Sequence, residues 1–313
     1  MMEKDAKIYV AGHRGLVGSA IVRKLKEEGY TNIITRTHSE LDLTDQRATR
    51  EFFEKERLEY VFLAAAKVGG ILLNVTQPAD FAYINLMIES NVIKSAYDYG
   101  VKKMLFIGSA CVYPENCPQP IKEEYLLTGP LEPENEPYAI AKITGLKLCQ
   151  YFNKQYGTNF ITAIPNNLYG PGDSFDPETA HVIPALLRRF HEAKISGLSH
   201  VQVWGSGNQK REFMYIDDFA DAVVYLMNHY NRNEPINVGT GEDITIRELA
   251  ELIKKIVGYG GEVLFDTTKP DGAQRRLLDV RKLQLIGWSS KTSLQIGLGK
   301  LYKYFTNDVV KNT

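Results

Sequence analysis

Five short apolar runs, separated by stretches of helical periodicity, constrain this chain more than any other feature. KIYVAG (7–12) leads into LVGSAIVRKLKEEG, where Leu16, Val17, Ala20, Ile21 and Leu25 recur at helical spacing and Gly29 ends the helix. NIITR is the second strand expected, ahead of LDLTD and a helix through RATREFFEKER; YVFLAAA is the third, ahead of DFAYINLMIESNVIKSAYDYG. KMLFIGSA is the fourth and, after the helix IAKITGLKLCQYFNKQY, NFITAIPNNLYG the fifth. Parallel strands need a crossover between them, and right-handed crossovers in succession lay helices on both faces of one sheet. The pattern predicts an α/β fold with a doubly wound parallel sheet over residues 1–170.

Past residue 170 the alternation loosens. HVIPALLRRFHEAK reads as a helix, REFMYIDD as a strand running into a helix from Asp218, INVGTG as a strand and IRELAELIKKIV as a helix. Short mixed elements follow. Residues 171–313 are expected to form a smaller α/β substrate-binding domain, with the chain crossing back to the first domain around 212–245. With 37 Lys and Arg against 38 Asp and Glu in 313 residues, no global field draws the chain to nucleic acid or an anionic membrane. No apolar run approaches the ~18 residues of a membrane span. Three cysteines without a CxxC pair argue against a disulfide framework and against a metal site, so a cytoplasmic protein is expected.

GHRGLVG puts Gly12, Gly15 and Gly18 between the first strand and the first helix. Glycines there allow a tight turn and let backbone N–H groups and the helix N-terminus approach a pyrophosphate, so the first domain is expected to be of Rossmann type. His13, Arg14, Leu16 and Val17 complete the cradle. Cofactor choice is argued from charge. An acid near the end of the second strand selects NAD, whereas Arg36 stands there, Arg14 can reach the same corner, and no acid is apparent; NADP is the cofactor expected. The GxxGxxG spacing resembles that of the extended short-chain dehydrogenase/reductase superfamily. That resemblance puts Asp42 and Leu43 at the adenine edge, and Ala64, Ala65 and Ala66 along the pyrophosphate and ribose.

EPYAIAK contains Tyr138 and Lys142, which share a helix face at i and i+4. A phenol titrates near 10, and a neighbouring ammonium favours its phenolate, so Tyr138 is expected to exchange a proton with a ketone or alcohol. Ser109, just past Ile107 and Gly108 at the end of the fourth strand, can polarise the same oxygen.

GHRGLVGSAI, AAAKVGGI, GSACVYP, LEPENEPYAIAKITGLKLC, NNLYGPGD, HVIPALLRRFHEA, VWGSGNQKREFMYIDD and KPDGAQRRLLDV together resemble the GDP-L-fucose synthase family, over about residues 7 to 288. The resemblance implies a homodimer that uses NADPH on a GDP-sugar, inverting C3 and C5 of GDP-4-keto-6-deoxy-mannose before reducing its C4 ketone. It proposes Cys111 as the base and His181 as the acid of the inversions; a thiol near 8.5 and an imidazole near 6.5 suit proton transfer at neutral pH. It also sets Lys142, His181, Pro165, Asn166, Asn167 and Leu168 against the cofactor, and Arg189, Trp204, Arg211 and Asp271 against the GDP-sugar. Helix phase leaves Arg188 as an alternative to Arg189. Arg275, Arg276 and Lys282 read as solvated, and Cys117 and Cys149 as structural. Where many members carry a second arginine this chain has His38, which adds charge at the 2′-phosphate corner only when protonated. The rival readings are a nucleotide-sugar 4-epimerase or 4,6-dehydratase and a non-catalytic NADPH-binding protein. A dehydratase would carry an Asp-Glu pair after Ser109 where Ala110 and Cys111 stand, and a non-catalytic protein need not keep Ser109, Tyr138 and Lys142 together.

Overall fold

The structure, a computed structural model, describes residues 1–177, 180–269 and 272–312. The chain runs β1 (Ile8–Ala11), α1 (Leu16–Glu27), β2 (Ile33–Ile34), α2 (Gln46–Glu56), β3 (Tyr60–Leu63), α3 (Ile71–Thr76), α4 (Pro78–Asp98), β4 (Lys103–Ile107), α5 (Glu136–Tyr156), β5 (Phe160–Pro165) and β6 (Asn167–Tyr169). It continues through α6 (Val182–Ile195), β7 (His200–Trp204), β8 (Lys210–Arg211), β9 (Phe213–Tyr215), α7 (Ile216–His229), β10 (Ile236–Val238), β11 (Ile244–Thr245) and α8 (Ile246–Val257). The last elements are β12 (Glu262–Asp266), β13 (Arg275–Arg276), α9 (Arg281–Leu285) and α10 (Leu294–Tyr304).

The main sheet is parallel in the order β10-β5-β4-β3-β1-β2. Strand residues alternate between its faces. Ile8 and Val10 pack with Ala20 and Ile21 of α1 and Phe219 and Val223 of α7, whereas Tyr9 and Ala11 pack with Phe53 of α2, Val92 of α4 and Leu146 of α5. Burial on both faces is why these strands read as continuous apolar runs. The winding reverses between β1 and β3, and the crevice at their carboxyl ends is where such sheets bind ligands.

A second core lies apart from the sheet. Ile183, Leu187 and Phe190 of α6, Val201 and Val203 of β7, Leu249 and Ile253 of α8 and Leu298 of α10 fill it. Between these stretches α7 and β10 return to the main sheet, where Ile236 pairs with Ala163. One expectation is corrected. NFITAIPNNLYG is two strands: β5 ends at Pro165, and β6 leaves the main sheet to pair with β9. The Asn166 amide between them donates to Glu212 Oε2 at 3.0 Å and to the Arg276 carbonyl at 3.1 Å, turning the chain toward the second core. Among the described residues no helix is long and apolar enough to cross a membrane.

Candidate active site

β1 runs directly into Gly12, which has φ +81° and whose carbonyl accepts from the Gly15 N–H at 3.0 Å. A Cβ on Gly12 would lie 2.8 Å from the Ala65 Cα, and one on Gly18 2.2 Å from the Gly12 oxygen. Gly12 therefore serves both the positive φ and the approach of the chain after β3, while Gly18 lets α1 close on the turn. The α1 N-cap, Gly15, offers no side chain to the first-turn N–H groups, so they are left for an anion. This cradle fits the pyrophosphate of a dinucleotide. Arg14 is exposed beside it; His13, Leu16 and Val17 are half-buried, the last two against the sheet core; Ala64, Ala65 and Ala66 follow β3 half-buried.

The 2′-phosphate corner differs from the sequence reading. Arg36 donates to Glu56 Oε1 at 2.7 Å and to the Thr35 carbonyl at 2.8 Å, over the Phe52 ring. The corner also has an acid: Glu40 accepts from the Thr37 N–H at 2.7 Å and hydroxyl at 2.8 Å, which hold its carboxyl below the usual range, with Arg36 and Arg14 adding to the effect. The acid escaped the sequence reading because it stands four residues past Arg36 and folds back over the turn. With Glu56 on Arg36 and Glu40 beside it, the Arg14 and Arg36 guanidiniums are matched by two carboxylates. His38 is exposed, 3.8 Å from Asp42 Oδ1. Asp42 is held below its usual range because the Thr44 N–H and hydroxyl outweigh its partial burial, and Leu43 is buried.

At the end of β4 the Gly108 N–H donates to the Ala163 carbonyl at 2.8 Å. Ser109 follows, capping a tight turn over Ala110–Val112; its Oγ accepts from the Cys111 N–H at 3.4 Å, a contact that uses a lone pair and not the hydroxyl proton. Tyr138 and Lys142 lie one turn apart near the start of α5, the ammonium 5.6 Å from the phenol ring centroid. Lys142 is buried; it donates to the Ile107 carbonyl at 3.0 Å and faces Glu89 Oε1 of α4 at 3.2 Å. The expected phenolate is corrected. Burial first, then the Cys111 and Glu89 charges, push the Tyr138 phenol well above its ordinary value, so at neutral pH it is an acid. The ordinary thiol value is corrected in the same way: burial pushes Cys111 up to about 11, against Ser109, Lys142 and Arg276, which pull it down.

His181 precedes α6, its Nδ1 3.8 Å from Oδ1 of the buried Asp173. That acid raises the His181 pKa more than desolvation lowers it. Arg189 and Trp204 line one shallow groove of ≈ 510 Å³ with His200 and Gln202, and Arg189 Nη1 donates to the Gln202 carbonyl at 2.8 Å. Arg188 bonds Glu192 and the Phe175 carbonyl and does not line the groove, so Arg189 is the groove residue. Arg211 stands on β8 outside that groove, its Nη2 near Gly272; Asp271 lies outside the described residues. Asn167 donates to the Glu212 carbonyl at 2.9 Å, and Leu168 packs against the sheet core.

Arg275 is partly exposed and paired with Asp243, as a surface charge should be, but Arg276 is buried. Its Nη1 donates to the Pro114 carbonyl at 3.2 Å and its Nη2 lies 3.8 Å from Glu132, beside the GSACVYP turn. A two-residue charge pair in a short strand puts one side chain outward and the other inward. That period was the available signal, in a segment too short to be recognised as a strand.

The NAD dependent epimerase/dehydratase family model matches residues 8–239. GDP-L-fucose synthase 1 of Arabidopsis thaliana is 56% identical over 309 residues, covering 99% of this chain and 96% of its own. GDP-L-fucose synthase of Escherichia coli K12 is 53% identical over 308 residues, covering 96% of each. The chain belongs to the GDP-L-fucose synthase family. A solved structure of a GDP-L-fucose synthetase from Naegleria fowleri bound to NADP superposes on it with TM-score 0.91 at 30% identity, covering 98% of this chain and 96% of that one. For this family member sequence reasoning missed Glu89. The signal was an acid on the inward stripe of α4, with Asn85, Val92, Ile93 and Ala96 buried at helical spacings around it.

Proposed function

We propose that the chain converts GDP-4-keto-6-deoxy-mannose to GDP-L-fucose with NADPH, inverting C3 and C5 and then reducing the C4 ketone. The observation that carries the reading is the placing of Cys111 two residues past Ser109, on the same turn that faces Tyr138 and Lys142. Reduction alone uses Ser109, Tyr138 and Lys142. Inversion beside a ketone needs a base and an acid on opposite faces of the ring.

Protons on C3 and C5 flank the ketone, so removing either leaves an enolate whose oxygen the Ser109 and Tyr138 O–H groups can stabilise. Cys111 as thiolate removes the proton, and His181, kept protonated by Asp173, returns one from the other face. Bound NADPH supplies the hydride that completes the reduction at C4. Tyr138, a phenol at neutral pH, delivers its proton to the C4 oxygen. The glycine turn and the α1 N-terminus hold the pyrophosphate, Arg14 and Arg36 the 2′-phosphate, and Arg189, Trp204 and Arg211 the GDP moiety, with Asp271 at its ribose or guanine end.

The same reading gives a cofactor domain over 1–170 and a substrate domain over 171–313, supported by the second core and by the return of α7 and β10 to the main sheet. It also gives a cytoplasmic homodimer, with the exposed Tyr83, Ile140 and Tyr151 of α4 and α5 as contact residues. The test is incubation with the keto-deoxy sugar nucleotide and NADPH, with the product identified by NMR. GDP-L-fucose is expected; a product reduced without inversion would overturn the epimerase half. Tyr138→Phe is expected to keep NADPH binding and lose about 10²–10⁴-fold in reduction rate. Full turnover would remove Tyr138 from the site.

A further inference from the structure

Glu89 is a deeply buried acid beside Lys142, 1% exposed, and nothing in the reaction just described uses it. Neither of its oxygens accepts a well-formed hydrogen bond. Desolvation outweighs the Lys142 charge at 3.2 Å and the Gly145 N–H and pushes its carboxyl up to about 7, so the carboxylate is fully present only above neutral pH. A buried carboxylate kept this way is expensive, and an apolar side chain of similar volume would serve packing better. The surroundings are also cut to fit it: a Cβ on Gly145 would lie 2.5 Å from Glu89 Oε2.

An ammonium has three N–H donors. Lys142 gives one to the Ile107 carbonyl at 3.0 Å and turns another toward Glu89 Oε1 at 3.2 Å, which leaves one donor beyond these two contacts. We propose that Glu89 is a positioning residue of the reductase: it anchors Lys142 so that its last N–H faces the cleft, and it balances the ammonium so that Tyr138 stays a proton donor. The titratable and charged groups that face this pair are few. α5 contributes Lys142, Tyr138 and the buried Cys149, the turn after β4 contributes Cys111, and α4 contributes Glu89 itself.

The inference rests on Tyr138 being the acid of the reduction, and that assignment is tested separately by Tyr138→Phe. Here the measurement is kcat for ketone reduction against pH, with saturating substrate and NADPH. In Glu89→Gln the ammonium is no longer balanced, the phenol loses its proton more easily, and the alkaline limb is expected to move toward lower pH by about one unit. kcat on the plateau should also fall at least about tenfold as Lys142 loses its anchor. Glu89→Asp keeps the charge but retracts it by one methylene; kcat is expected to fall with the alkaline limb unmoved. A merely structural Glu89 would lower the melting temperature and the folded yield of both variants while each folded molecule kept the parent pH profile. An unmoved limb in Glu89→Gln overturns the charge-balancing role, and parent kcat in Glu89→Asp overturns the anchoring role. If Glu89→Gln does not fold, Glu89→Asp still decides the anchoring half.

Discussion

Replacing Cys111 with serine, and following exchange rather than reduction, separates the two halves of the chemistry. Deuterium entry into C3 and C5 of recovered keto-deoxy substrate, measured without NADPH, reports the inversions alone. With its thiol pushed up to about 11, about one enzyme in a thousand carries the thiolate at pH 8. The acid partner must be protonated at the same moment, and His181 titrates far below Cys111. The reactive pair is thus a minor form, and the pH profile of exchange kcat/KM follows from that. Below the His181 pKa every imidazole is protonated, and the rate climbs tenfold per pH unit with the thiolate fraction. Between the two pKa values the gain in thiolate cancels the loss of imidazolium, so the rate stays level toward pH 11. Cys111→Ser is expected to reduce exchange by at least about a hundredfold at every pH. Unchanged exchange in that variant would return Cys111 to packing. A fall in the parent rate above about pH 8.5, where an ordinary thiol titrates, would refute the argument that burial sets this thiol.

Asp173→Asn should lower the His181 pKa, because the carboxylate is what raises it. The acid edge of the exchange profile then moves to lower pH and the level region drops by the same factor; rates well below the edge should not change, and a uniform loss would refute the pairing. Gly18→Ala places a Cβ 2.2 Å from the Gly12 oxygen. Such overpacking costs about 1–3 kcal/mol, so a lower melting temperature and an NADPH Kd raised at least about tenfold are expected by fluorescence titration; an unchanged Kd would show that the turn is not the cradle.

The parts legible in the sequence are those whose signal is local. Strands buried on both faces read as apolar runs, α1 and α5 as amphipathic stretches, and the glycine turn as a spacing, and each of these stands where expected. What the sequence concealed depends on residues far apart in the chain. Asn166 ends β5 by reaching Glu212 and Arg276, 46 and 110 residues away. Glu89 matters because Lys142, 53 residues later, lies on the helix packed against its own. Tyr138 and Cys111 titrate according to burial, which no motif carries: YxxxK announces a cation beside a phenol but not the carboxylate that neutralises it. Arg36 is legible as a cation just after β2, but its partner Glu56 comes from the far end of α2.

The return of β10 to the main sheet also bears on how the chain is made. β5 ends at residue 165 and its outer neighbour begins at residue 236, 71 positions later. At synthesis rates of about 5–20 residues per second, that interval lasts about 4 to 14 s. During that time the nascent chain already holds the whole nucleotide cradle but presents β5 as an open edge, a template for pairing with a neighbouring nascent copy. A fragment ending at residue 170 would keep that edge permanently, so the main sheet is unfinished until residue 238 has emerged.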